Sequence, residues 1–89
     1  MLGLVPRISS FYGITILMFF GDHHPPHFHA RYGSHVARVA LEGTLLDGQL
    51  PRRAQRLIRE WTSLHQQELA ACWERAVRHE PPGTIEPLP

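Results

Sequence analysis

Two short runs, Phe28 to Tyr32 and His35 to Val39, are separated only by Gly33-Ser34. That spacing constrains the fold more than any other feature of the chain. A two-residue loop of this kind makes a tight antiparallel hairpin. If the loop is those two residues, Tyr32 faces His35, Ala30 faces Ala37 and Phe28 faces Val39. Alternation puts all six on one side of the sheet, apolar apart from His35 and the tyrosine hydroxyl. The other side then carries His27, His29 and Arg31 on one strand and Val36, Arg38 and Ala40 on its partner, with His29 opposite Arg38. The apolar residues alone set this register, yet it gathers two histidines and two arginines on one face.

Around the hairpin, Ile14 to Phe20 is β-branched and aromatic and reads as a buried strand whose two faces are both apolar. Gly21-Asp22 ends it, and Pro25-Pro26 makes His23 to Pro26 a loop, because proline cannot donate to a ladder. Residues 1–10, with Pro6 inside, read as a loose arm. Asp47-Gly48 signals a second tight turn, joining Thr44-Leu45-Leu46 to Gln49-Leu50. Pro51 suits the first position of a helix. From there to about His79, Ala54, Leu57, Ile58, Trp61, Leu64, Leu69, Cys72, Trp73 and Ala76 recur at three and four residues. One kinked helix or two consecutive helices both fit, with Thr62 or Ser63 as a cap for the second, Ser63 standing three residues before Gln66. Pro81-Pro82-Gly83 ends the segment. The expected fold is α+β. A small antiparallel sheet of three or four strands packs on a C-terminal helical segment. The chain reads as one domain over 1–89: arm 1–10, β-rich 11–50, helical 51–79 and extended tail 80–89. The expected core sets Ile14, Ile16, Phe28, Ala30, Val39 and Leu41 against Leu57, Ile58, Trp61 and Leu69.

Composition excludes several classes. A hydrophobic content of 43% is that of a globular domain and not of a disordered chain. The single cysteine, Cys72, allows no internal disulfide framework, so nothing suggests secretion. The Ile14–Phe20 run is far shorter than the roughly 18 residues of a membrane span and lacks a small-residue cleavage site. A cytoplasmic protein without a membrane partner is the expectation. A net charge of +1 does not by itself imply nucleic acid, though nucleic acid remains open as a partner. All nine basic residues are arginine, which makes planar, bidentate contacts with phosphate or carboxylate. A domain this small, with two tryptophans and a strand apolar on both faces, is also expected to form a homo-oligomer or a tight complex with a partner.

Chemistry concentrates in Gly21 to Ala30, which holds four of the seven histidines and Asp22. His27-Phe28-His29 on a strand puts two imidazoles on one face. A third ligand from Asp22, His23 or His24 would complete an open site for Zn²⁺ or a similar divalent ion. Arg31 and Arg38 weigh against a cation there, since they repel it and recruit anions. Asp22 can instead orient a histidine by accepting from its ring N–H. The same face suits metal-independent phosphodiester chemistry. His27 or His29 would act as general acid or base, with Arg31 or Arg38 stabilising negative charge. Whether the chain is an enzyme stays open. Arg52, Arg56 and Arg59 fall at i, i+4 and i+7. A solvated helix face is the default reading, and a phosphate-contacting stripe the functional one. Glu60 and Glu74 dilute its charge. Trp61, Trp73 and Cys72 read as core or interface.

Several stretches of the chain carry a family resemblance. They are Pro6-Arg7-Ile8-Ser9, Phe11-Tyr12-Gly13-Ile14, Asp22-His23-His24-Pro25-Pro26-His27-Phe28-His29-Ala30, Gly48-Gln49-Leu50-Pro51, Trp61, Glu68-Leu69 and Trp73. Together these resemble a bacterial family known as domain of unknown function 4160, over about Val5 to Leu88, with Met1 to Leu4 as an extension. The resemblance implies a small prokaryotic protein, often encoded beside another small protein in a toxin–antitoxin-like arrangement. It brings no established activity. The functional expectation is therefore an interaction or regulatory component of such a two-gene module. Its anion- or partner-binding face would use His23, His24, Arg31 and Arg38. The alternatives are a nuclease-like enzyme using His27, His29, Arg31 and Arg38, and a metal-binding module using Asp22, His23, His27 and His29.

Overall fold

Tyr12 and Gly13 both take positive φ, 50° and 82°. Two such residues in succession make the kind of hairpin turn whose twist matches its flanking strands. In the computed structural model, which describes residues 5–89, they join β1 (Arg7–Phe11) to β2 (Ile14–Leu17). The loop carrying the histidines leads to β3 (His27–Tyr32), then β4 (His35–Ala40) and β5 (Leu45–Gly48). Two helices follow, α1 (Arg52–Leu64) and α2 (Gln66–Val77). The five strands form one antiparallel sheet in chain order. The architecture is α+β as expected, with five strands in place of three or four.

The β3–β4 register is the one the apolar pattern requires: Tyr32 pairs with His35, Ala30 with Ala37, His29 with Arg38 and Phe28 with Val39. Phe28, Ala30 and Val39 point into the core with Ile14 and Ile16. Ala54, Ile58 and Trp61 of α1 and Leu69, Cys72, Trp73 and Ala76 of α2 cover them. The Phe28 and Trp61 rings meet edge to face, 5.8 Å between centroids at 89°, a favoured aromatic geometry. Each large apolar side chain buried here contributes about 1.5–3 kcal/mol. Leu41 and Leu57, expected in the core, are only partly buried at its margin.

The structure corrects four expectations. Within the arm expected over residues 1–10, residues 7–10 belong to β1, paired with β2 as an edge strand; residues 1–4 lie outside the described residues. A bulge between Arg7 and Ser9 puts Ile8 and Ser9 both in buried positions and hides the alternation. The strand expected over Ile14–Phe20 ends at Leu17. Met18 is buried, while Phe19 and Phe20 are exposed. Asp47-Gly48 is not a turn. Both residues lie in β5, opposite Arg38 and Ala37, and the chain reverses earlier, at Leu41–Thr44. The helical segment divides at His65, whose φ of −131° breaks it. The hydroxyls of Thr62 and Ser63 donate back to the Arg59 and Glu60 carbonyls inside α1 and cap nothing.

Residues 81–89 form neither helix nor strand, and part of this tail docks on the edge of the sheet. The Ile85 N–H donates to the Ile8 carbonyl at 2.7 Å, and the Glu86 carbonyl accepts from the Trp61 indole at 2.9 Å. A buried indole N–H left without such a partner would be costly.

Gly48 is where the backbone leaves no choice of residue. Its φ is +86°, and an added Cβ would meet the Val36 carbonyl oxygen at 2.3 Å. Gly33 has a φ of +58° but open space around it. Gly33→Ala is expected to cost about 1 kcal/mol, from the left-handed conformation alone. Gly48→Ala should cost roughly 3 kcal/mol or more, because backbone atoms must move as well. Urea unfolding of the two variants checks the order.

Candidate metal centre

Alternation on β3 sends His27 and His29 to the face opposite Phe28, but the two rings meet different surroundings. His27, at the start of the strand, is 1% exposed beneath the Trp73 ring of α2, 5.4 Å away. His29 lies nearer the open face. The Phe19 ring stacks on its imidazole, 3.9 Å between centroids and 14° between planes. The His27 and His29 rings lie 5.2 Å apart. The loop between β2 and β3 closes over them. It is anchored where the Gly21 N–H donates to the Ala76 carbonyl at the end of α2, at 2.8 Å. The next residue, Asp22, faces both rings. Its Oδ2 is 2.9 Å from His27 Nε2 and 3.3 Å from His29 Nε2.

The hydrogen bonds of His27 decide what this cluster can do. Its Nδ1 lies 2.7 Å from the Pro25 carbonyl oxygen. A carbonyl only accepts, so Nδ1 carries the proton. In a neutral imidazole, Nε2 then presents a lone pair. That atom is buried, has no aligned hydrogen-bond partner, and faces a carboxylate oxygen. Two acceptors turned toward each other in a buried site are satisfied by a cation between them, either a proton, which makes an imidazolium–carboxylate pair at this 2.9 Å separation, or a metal ion. A ring N–H donated to a backbone carbonyl is also how metal-ligating histidines are held in the correct tautomer.

Asp22, His27 and His29 each offer one ligand atom, all within 4.8 Å of one another. Around a tetrahedral ion with bonds of about 2.0–2.1 Å, ligand atoms stand about 3.3 Å apart. The separations from Asp22 Oδ2 need change by only a few tenths of an ångström. Electrostatics agree. Burial pushes the Asp22 carboxyl up. The His29 ring and the His23 backbone N–H, joined by the charge and the Nε2–H bond of His27 when that ring is protonated, outweigh this and hold it below the ordinary carboxylate value; a neutral His27 offers Asp22 a lone pair instead. Burial holds His29 below the ordinary histidine value, with Asp22 acting in the opposite sense. An ionised carboxylate and a neutral imidazole are the forms that bind metal.

The structure places the other candidate residues apart from this centre. His23 is 91% exposed, its Nδ1 3.7 Å from Asp22 Oδ1, and lies outside the three-residue cluster. His24 is exposed, edge-on to Trp73. Arg31 is exposed on β3. Arg38 stands opposite His29 as expected, but its Nε and Nη2 both donate to Asp47 Oδ2, at 2.8 and 2.6 Å. Asp47 offsets the charge that weighed against a cation here. Three contributors carried no such signal in the sequence. Phe19 was hidden in an apolar run, Trp73 read as core or interface, and Asp47 was assigned to a turn. Cys72 is buried, and its thiol is pushed up by burial, so it presents no nucleophile.

A family model described as domain of unknown function (DUF4160) matches residues 13–74. The chain belongs to this family. The matched stretch contains Asp22, His27, His29 and Trp73. No curated protein and no solved structure matches the chain. Among the described residues, no helix is long and apolar enough to cross a membrane.

Two measurements check the geometry of the metal-free protein. The Nδ1 proton of His27 is expected to be protected from solvent exchange and visible by nitrogen-edited NMR; a ring protonated on Nε2 alone would contradict the donor assignment. Asp22 and His29 both titrate low in the fold, so protonating either favours the unfolded chain. The contribution of His29 is fully present above its ordinary value of 6.5 and is lost as the pH falls toward the lower folded value. Asp22 behaves alike below 3.8. Chelator-treated protein should therefore lose stability from about pH 6.5 downward, and His29→Gln should remove the upper part of that loss.

Proposed function

We propose that this member of the family is a divalent-metal-binding module, with Asp22, His27 and His29 as the protein ligands of a zinc-class ion. The observation that carries this reading is the buried, unpartnered Nε2 of His27, turned toward Asp22 by the Nδ1–H bond to Pro25. Two imidazoles and one carboxylate suit zinc and also non-haem iron(II). Three protein ligands leave at least one coordination position for water or a substrate. Water bound to zinc becomes a nucleophile near neutral pH. Asp22 and His29 are partly exposed, which gives that position an approach from solvent.

The interaction reading, a component of a two-gene module, attaches to the rim of the same centre. His23, His24 and Arg31 are exposed there, beside Phe20 and Val36. A second copy or a small partner protein would meet this rim and not the tryptophans, which are buried inside one chain. A metal-independent nuclease would use Arg31 or Arg38 on its substrate; the Arg38 guanidinium is held by Asp47, which leaves the exposed Arg31 for that role.

Metal-stripped protein titrated with Zn²⁺ is the test. At a free ion concentration 100-fold above Kd, binding stabilises by about 2.7 kcal/mol, or about 11–22 °C in Tm for a domain of this size. X-ray absorption should show two imidazole nitrogens at about 2.0–2.1 Å. Asp22→Asn and His29→Ala are expected to remove the shift, and His23→Ala to leave it nearly unchanged. No shift in the wild type, or the same shift in His29→Ala, would overturn the assignment.

A further inference from the structure

α1 carries four of the nine arginines, Arg52, Arg53, Arg56 and Arg59, and all four are exposed. None makes an ion pair among the described residues, whose pairs are confined to the Asp22 histidines, Arg38–Asp47, His65–Glu68 and Arg78 with Glu74 and Glu80. Of the two acidic residues that dilute this face, Glu74 is engaged by Arg78, and Glu60, exposed on α1 itself one turn beyond Arg56, leaves four cations against one anion. Arg52, Arg56 and Arg59 line a cavity of about 440 Å³ with Gln55 between them. The Gln55 amide is fixed by donating to the Leu50 carbonyl at 2.8 Å. The start of the helix adds to the same sign. It has no side-chain cap and no acidic residue in its first turn, so unsatisfied N–H groups stand beside Arg52 and Arg53.

A helix does not gain by holding like charges at i and i+4 beside its positive end. Such a row is favourable when an anion lies along it. We infer that the exposed face of α1 binds the sugar–phosphate backbone of a nucleic acid, independently of sequence. Arg52, Arg56 and Arg59 each take one phosphate. The three positions span about 10.5 Å along the helix axis, the length of about three nucleotide steps at 3.4 Å each. Guanidinium groups bind phosphate with two parallel N–H donors. A membrane surface would need apolar residues beside the cations. The exposed apolar residue of α1, Leu64, lies at the far end of the helix. α1 packs on the face of the sheet that carries Phe28, and His29 points from the other face. The two sites are therefore separate.

Fluorescence anisotropy with labelled 20-nucleotide single-stranded RNA and 20-base-pair DNA tests this, on the intact protein over 50–200 mM salt. Binding to at least one probe is expected. Three phosphates give a slope of log K against log salt of about −2 for a single strand and about −2.7 for duplex. That is a loss of about 20- to 40-fold over the range. The triple variant Arg52→Gln/Arg56→Gln/Arg59→Gln should bind at least tenfold more weakly with a flatter slope. Arg56→Glu alone provides a second, milder variant. Arg7→Gln, which removes an exposed arginine of β1, should bind as the wild type does. No binding to either probe at 50 mM salt, equal binding by the triple variant, or equally tight binding to polyglutamate or phosphatidylserine vesicles would overturn the proposal.

Discussion

The register of β3 is the constraint on which the rest of the molecule depends. It is held by one contact above others, Phe28 packed edge-on against Trp61 with both side chains wholly buried. Slipping β3 by one residue would place His27, His29 and Arg31 in the core and Phe28, Ala30 and Tyr32 in solvent. Burying two imidazoles and a guanidinium without partners costs several kcal/mol each. Exposing Phe28 gives up a further 1.5–3 kcal/mol, roughly. No alternative pairing approaches the observed one. The apolar residues therefore decide where the histidines go, and the histidines have no part in the choice.

That division of labour explains why the centre is half buried. A strand delivers His27 and His29 to one face at a fixed separation, but a flat face would leave both in water. The loop from Met18 to Pro26 changes this. It is tied to the end of α2 through Gly21 and lays Phe19 over His29, while Trp73 of α2 covers His27. The two rings thus become unequal. One is sealed and oriented by a backbone carbonyl, and the other is stacked and open to solvent on one edge. Asp22 completes the set because it follows the anchored glycine directly. A rigid scaffold with one enclosed and one accessible ligand is the arrangement in which a metal ion is held firmly and still reached by another molecule.

Much of this was readable in the sequence where period-2 alternation and a two-residue turn agreed. The β3–β4 pairing, the shared face of His27 and His29 and the apolar stripe of the helices follow from local rules acting in concert. The failures have a common cause in positions where a long-range contact overrides a local signal. Ile8 and Ser9 break alternation through a bulge, so β1 was hidden. Asp47-Gly48 carries the residues of a turn. In the fold, Gly48 is required because the Val36 and Ala37 backbone crosses close to it, and Asp47 because Arg38 lies opposite. Asp22 was visible as a candidate partner of one histidine, but not as the partner of two. That depends on the path of a loop containing two prolines, which no periodicity describes.

The near-zero net charge conceals a segregation that the fold creates. Acidic side chains are placed where cations gather on the open face of the sheet, Asp22 between two imidazoles and Asp47 on Arg38. The exposed face of α1 has only Glu60 against four arginines, which stand toward the positive end of their own helix. On the proposed readings, one side of the sheet would take a small cation and the other an extended anion. The two are joined through a shared core, since Trp61 of α1 packs on Phe28, the residue between His27 and His29. An ion that fixes His27 and His29 also restrains the strand against which α1 rests. Coupling between the faces has two routes, this contact and Trp73 of α2, which lies against His27 and shares the core with α1, because the hydrogen-bonded ladder runs within the sheet and not across it.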